Sequence, residues 1–110
     1  SIKERATQIR NWSNFFGRYS LLICPTSGKP PFVDQQDVKG FSEFDKILEA
    51  QLTQMGLPVL GFPGLALATG ISDMIPCGVQ LISHRFREDI ILEAGEVIEK
   101  ALYKPNVVKI

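Results

Sequence analysis

Hydrophobic residues return at steps of three and four positions along the start of the chain, from Ile2 to Phe16. This spacing places side chains on one face of an α-helix, and the charged residues between them take the opposite face. The pattern therefore predicts a helix that ends at Gly17. The apolar run at 21–24, which stops at Pro25, predicts a short strand buried on both faces.

The segment 25–40 is rich in proline, glycine and polar residues, which predicts a long loop. Loops of this length in a compact domain are usually functional or disordered, and a position directly after a buried strand favours a functional role. A helical pattern of apolar residues follows over 42–55 and closes at Gly56. Ser42 and Asp45 have the spacing of a capping box at its start.

The second half of the chain predicts strand segments and one more helix. Apolar runs at 58–62 and 65–68 are separated by proline and glycine, and a third run follows at 78–83. A one-sided helical pattern then covers 87–102, with acidic residues near its start and basic residues, including Lys104, near its end. Strands and helices alternate, and this order favours an α/β fold with helices packed on a largely buried sheet.

Composition narrows the class of protein. The length of 110 residues fits one domain, so we take 1–110 as a single domain. Twelve basic side chains balance twelve acidic ones, and we therefore expect no nucleic-acid partner. No apolar run reaches the roughly 20 residues that cross a bilayer, and no secretory signal is visible. We predict a cytoplasmic protein that does not bind membranes.

The residues with reactive side chains are few. Cys24 and Cys77 lie far apart in apolar, strand-like sequence, and we predict that both are buried free thiols. His84 is the only histidine, which leaves too few ligands for a metal site, so we predict no metal and no cofactor. Ser27 and Lys29 could form a nucleophile and its base, but a lysine in a proline-rich loop stays hydrated and charged near neutral pH.

Ordered segments of the chain carry a family resemblance. They are the Pro25-Thr26 ending of the first strand, then Gly56-Leu57-Pro58, then 76–82 (Pro-Cys-Gly-Val-Gln-Leu-Ile), then 86–89 (Phe-Arg-Glu-Asp). Together they resemble the C-terminal region of the amidase signature family, over most of the chain. The resemblance implies the C-terminal part of that fold, an α/β unit with a mixed sheet and packed helices. Cys77 departs from the valine that is frequent there.

The same resemblance implies a function for a longer parent protein. Members of the family hydrolyse the C–N bond of carboxylic amides with a lysine and two serines, one of which forms an acyl-enzyme. The stretch that carries these residues has no counterpart here, so we expect no catalytic residue in this chain and no activity from it alone. The substrate would be a small-molecule amide. In the intact enzyme the residues implied to line the pocket are Thr26, Ser27, Phe44 and Asp45.

Three alternatives stay open at this stage. Asp45 could be a helix N-terminal charge and Phe44 a core contact, without any role in a pocket. The chain could be a non-catalytic interaction or structural module derived from an amidase, because strands taken from a larger sheet leave unpaired edges that favour association, including a homodimer. It could also be an independent small enzyme that uses Ser27, Lys29 and His84.

Overall fold

The computed structural model describes residues 1–102, which form four α-helices, one short 3-10 turn and three strands. In chain order the elements are α1 (Ile2–Arg18), β1 (Leu22–Pro25), the 3-10 turn (Gln36–Val38), α2 (Phe41–Ala50), α3 (Leu52–Leu60), β2 (Gly64–Ser72), β3 (Ile75–Ile82) and α4 (Glu88–Ala101). Lys104, which we expected near the end of the last helix, lies outside the described residues.

The three strands form one sheet in the order β1-β3-β2, and both pairings are antiparallel. β2 and β3 are joined by a two-residue turn at Asp73 and Met74, whose φ angles of 50° and 63° are both positive. This is the turn type whose twist matches that of a hairpin. The predicted class, helices packed on a sheet, is confirmed. Within residues 1–102 no parallel pair of a mixed sheet is found.

Helices cover both faces of the sheet. On one face Ile82 of β3 packs with Phe16 of α1 and Phe62, and this cluster is the core between the sheet and the helices α1 and α3. On the other face α4 lies against β2 and β3, where Leu81 is fully buried. Gly95 permits this close approach, because a Cβ at that position would lie 2.6 Å from Cδ2 of Leu65.

The predicted strand at 58–62 is wrong, because α3 continues through Pro58 to Leu60. Leu57 and Leu60 both pack against the core, and a helix places residues three apart on the same face. A strand would have pointed them to opposite faces. The packing of these two leucines therefore outweighs the cost of the proline, which removes one hydrogen bond and crowds the carbonyl of Gln54 near the end of the helix.

The C-terminal end of α3 is capped by distant arginines. Gly61 ends the helix in the left-handed conformation (φ 71°), which glycine adopts without steric cost. Arg5 Nε donates to the carbonyl oxygen of Val59 at 2.5 Å, and Arg85 Nη2 donates to that of Leu60 at 2.8 Å. Cations at this end of a helix are favourable, since the last carbonyls carry partial negative charge.

Replacing Arg85 by methionine is expected to lower the free energy of unfolding by about 1–2 kcal/mol, because the part-buried carbonyl of Leu60 loses a charged donor. Urea denaturation followed by circular dichroism measures this change. Arg87→Met is the matched control: its guanidinium pairs with Asp89 at the surface, and we expect an unchanged midpoint. Equal shifts for the two variants would contradict the capping role.

The helical segment predicted over 42–55 is divided at Gln51, where α2 ends and α3 begins. The predicted capping box is also wrong. α2 starts at Phe41, so Ser42 and Asp45 both lie inside the helix, and its N-cap residue is a glycine that offers no side chain. The break is important for the site, because it exposes the last carbonyl of α2 next to the long loop.

A large part of the apolar surface stays open. Five hydrophobic side chains of the described residues are buried, whereas nineteen large ones are exposed. The predicted burial of β1 on both faces is wrong: Ile23, which pairs with Leu81 in the neighbouring strand, is 53% exposed. It lies on the face that carries α4, but α4 covers β2 and β3 and does not reach β1.

Candidate functional site

A groove of about 710 Å³ lies between the long loop and the β2–β3 hairpin. The loop residues 26–32 form one wall and hairpin residues 72–78 the other, and Gln51 at the helix break also lines it. The volume falls in the range of small-molecule pockets, about 300–1,000 Å³. Apolar groups, including Phe32 and Pro76, dominate the walls.

The loop wall is attached to the end of α2. The hydroxyl of Ser27 and the backbone N–H of Gly28 both donate to the carbonyl oxygen of Ala50, at 3.3 and 2.8 Å. A carbonyl at the end of a helix has no partner within the helix, and the loop supplies two. The break at Gln51 and the position of the loop are therefore parts of one structure.

A second attachment joins the loop to α3 and, through it, to the sheet. The carbonyl oxygen of Thr26 accepts from Thr53 Oγ1 at 3.0 Å and from Gln54 Nε2 at 2.8 Å. Gln80, which is only 6% exposed in the central strand, donates from Nε2 to the carbonyl oxygen of Thr53 at 3.2 Å and to the sulfur of Cys24 at 3.7 Å. These hydrogen bonds attach the loop wall to α3 and to the central strand.

The four residues predicted to line a pocket separate into two pairs. Thr26 and Ser27 line the groove. Phe44 and Asp45 lie exposed on α2 and are not among the residues that line it. Their role in an intact enzyme stays a prediction.

Gln51 and Gln80 were not identified from the sequence. Gln80 is a lone polar residue within an apolar strand, and this is a usable signal because a buried amide needs a hydrogen-bond partner.

Ser27 is bonded as a structural residue. Its hydroxyl lies 2.9 Å from the carbonyl oxygen of Lys29 and 3.3 Å from that of Ala50, so these two acceptors share its single hydrogen. Its oxygen accepts from the backbone N–H of Lys29 at 3.3 Å. Serine and threonine hydroxyls stabilise turns through such hydrogen bonds to nearby backbone groups. Both contacts between Ser27 and Lys29 use backbone atoms of the lysine, so they bring no side-chain base to the hydroxyl.

The remaining reactive residues do not converge. Nδ1 of His84 lies 3.2 Å from the carbonyl oxygen of Arg85, and its ring packs near Phe62. The predicted burial of both thiols is wrong, since Cys24 is half-buried and Cys77 is exposed where the hairpin extends past the helices. Residues 1–102 hold no group of three or more side chains suited to a metal ion.

Carboxyl groups with a shifted pKa lie away from the groove. Hydrogen bonds from Lys46 and Gln36 lower the pKa of Glu43, and those from Arg87 lower the pKa of Asp89. Both carboxylates are held in the charged form at the surface.

The fold and the groove define an α/β unit with an open antiparallel sheet and a groove between the long loop and the β2–β3 hairpin. No family model matches the sequence. An indoleacetamide hydrolase from Bradyrhizobium japonicum is 35% identical over 97 residues, which are 87% of this chain and 21% of that protein. A glutamyl-tRNA(Gln) amidotransferase component from a Picosynechococcus species is 33% identical over 103 residues, 90% of this chain and 20% of that protein.

Both relatives are members of the amidase signature family, and this chain belongs to that family. It spans about a fifth of the length of the curated relatives that it matches. The predicted resemblance is confirmed, and the short coverage agrees with a C-terminal segment. None of the helices within residues 1–102 is long and apolar enough to cross a membrane.

Proposed function

We propose that this chain is the C-terminal part of an amidase that hydrolyses carboxylic amide C–N bonds through a serine acyl-enzyme, with its nucleophile and base on other polypeptide. The observation that carries the proposal is the match to indoleacetamide hydrolase over 87% of this chain but only 21% of the relative. The bonding of Ser27 supports it, because this serine has no base within residues 1–102.

The groove is the part of the parent site that this chain would supply. Thr26 and Ser27 give it polar groups next to apolar walls, a combination that suits an uncharged amide with a hydrophobic substituent. Two of the relatives are named indoleacetamide hydrolase, so an amide with an aromatic substituent is the first substrate to test. Phe44 and Asp45 would line the site only together with residues from the rest of the parent. The predicted cytoplasmic location is part of this proposal.

The open surface of the sheet supports a larger assembly. Ile23 is exposed on the part of the α4 face that lies over β1, and within residues 1–102 β1 and β2 each have one edge without a partner strand. Free edges and apolar faces favour pairing with further strands. They also support the second candidate, a non-catalytic module that associates with a copy of itself.

A chimera tests the proposal. We expect that the Bradyrhizobium japonicum indoleacetamide hydrolase keeps measurable amide hydrolysis when its matching 97-residue segment is replaced by the corresponding part of this chain. The isolated chain should show no release of ammonia from the same amide, because it lacks the nucleophile. Ammonia release per mole of purified protein is the measurement.

The same relative with its matching segment deleted serves as the control and should be inactive. Turnover by the isolated chain would remove the claim that the catalytic residues lie elsewhere. A chimera that folds cooperatively but hydrolyses no amide would favour the non-catalytic module.

A further inference from the structure

We propose that Gln80 is a positioning residue that holds the loop wall of the groove in place through the first turn of α3. Its importance for a substrate rests on the proposed function, whereas its mechanical action rests on contacts within this chain. Gln80 occupies the middle of the central strand, between Cys24 of β1 and Ala66 of β2.

The burial of Gln80 needs a reason. An amide with 6% exposure loses its water contacts, and an unpaired buried amide costs about 1–3 kcal/mol. The protein meets this cost by using both hydrogens of Nε2, one for the carbonyl oxygen of Thr53 and one for the sulfur of Cys24. The first of these bonds leaves the sheet and enters the helical layer.

α3 needs such an external attachment at its first turn. The helix has nine residues and no side-chain cap at its N-terminus, and Pro58 cannot donate to the carbonyl four residues earlier, that of Gln54. Its first turn is therefore weakly held by the helix itself. The bond from Gln80 ties that turn to the most buried strand of the molecule.

The same turn carries the loop. Thr53 Oγ1 and Gln54 Nε2 both donate to the carbonyl oxygen of Thr26, and the adjoining end of α2 accepts from Ser27 and Gly28. An unbroken series of hydrogen bonds thus runs from the centre of the sheet to the wall of the groove. Loss of the first bond, from Gln80 to the carbonyl oxygen of Thr53, should therefore loosen the loop wall more than the rest of the fold.

Ser83, directly after the same strand, provides the matched comparison. It is 1% exposed, and its hydroxyl donates to the carbonyl oxygen of Ser20 at 2.7 Å, far from the groove. Removing either polar group should destabilise the chain, because each change removes a part-buried hydrogen bond to a backbone carbonyl. Only the removal of Gln80 should act selectively on the groove.

Amide hydrogen exchange of the whole 110-residue chain, followed by NMR, tests this difference without any substrate. In Gln80→Met the Gly28 amide, which donates to Ala50, should exchange at least tenfold faster relative to the Tyr19 amide, which donates to Phe15 in α1. In Ser83→Ala the ratio of the two rates should stay within about twofold, as expected when local opening is unchanged.

A double variant, Thr53→Val with Gln54→Met, removes the two donors to Thr26 from the surface and leaves the sheet untouched. It should reproduce the selective exchange at Gly28 even if Gln80→Met does not fold. Parallel changes at Gly28 and Tyr19 in every variant that folds would overturn the proposal. Since no catalysis is measured, that result would leave the proposed amidase function standing, and an inactive chimera would leave the positioning role standing.

Discussion

Replacing Leu81 by alanine is expected to cost about 2–5 kcal/mol of the free energy of unfolding, a large part of what holds a small domain together. Leu81 is 0% exposed at the centre of the sheet. It pairs with Ile23 on one side and Leu65 on the other, and Gly95 of α4 lies over it. A truncated side chain would leave a cavity that three elements share, and a shared cavity is difficult to close by local movement.

Urea denaturation followed by far-UV circular dichroism measures the loss. Leu92→Ala is the matched control, because this leucine lies on α4 with 60% of its side chain exposed, and its truncation should change stability by no more than about 0.5 kcal/mol. Comparable losses for the two leucines would mean that the sheet and α4 do not form the core described above.

Gly78→Ala is the second substitution with a large expected effect, a loss of about 1–3 kcal/mol with weakened hairpin pairing. A Cβ at Gly78 would lie 2.8 Å from the carbonyl oxygen of Leu67 and 3.5 Å from its carbonyl carbon. Both atoms belong to the backbone of β2, so the contact cannot be relieved by rotating a side chain. The two strands must move apart, and the hairpin wall of the groove moves with them.

Gly56→Ala should have the opposite effect and raise the free energy of unfolding. Gly56 lies within α3, and nothing lies within 4 Å of the position that its Cβ would take. Alanine is favoured over glycine in a helix by about 0.5–1 kcal/mol, so this variant should be more stable. Thermal unfolding of both variants gives the comparison. A stabilised Gly78→Ala would contradict the close approach of β2 and β3.

The sequence predicted the elements whose signals are local. α1, the strands around 21–24 and 78–83, and α4 were all indicated by the spacing of apolar residues, with boundaries close to those observed. That spacing depends only on the period of the helix or strand. The family resemblance identified the loop after β1 as the segment to examine, and Thr26 and Ser27 indeed line a groove.

Other features depend on residues distant in the chain. α3 continues past Pro58 because Leu57 and Leu60 share one core, and its last carbonyl is bonded by Arg85, 25 residues later. One local signal was overlooked, since a glycine followed by an apolar residue and proline, as at 61–63, is typical of a helix C-terminus. The exposure of Ile23 could not be predicted, because it depends on where α4 packs.

The sequence by itself thus determined most of the helical and extended segments, though not the helix at 58–60, and the family to which the chain belongs, because periodicity and ordered motifs are properties of the chain alone. Only the tertiary structure decided which polar groups hold the groove together. Gln80 and Thr53 are 27 positions apart and meet across the layer between sheet and helix. A hydrogen bond of that kind depends on the packing of two elements, and no local pattern encodes it.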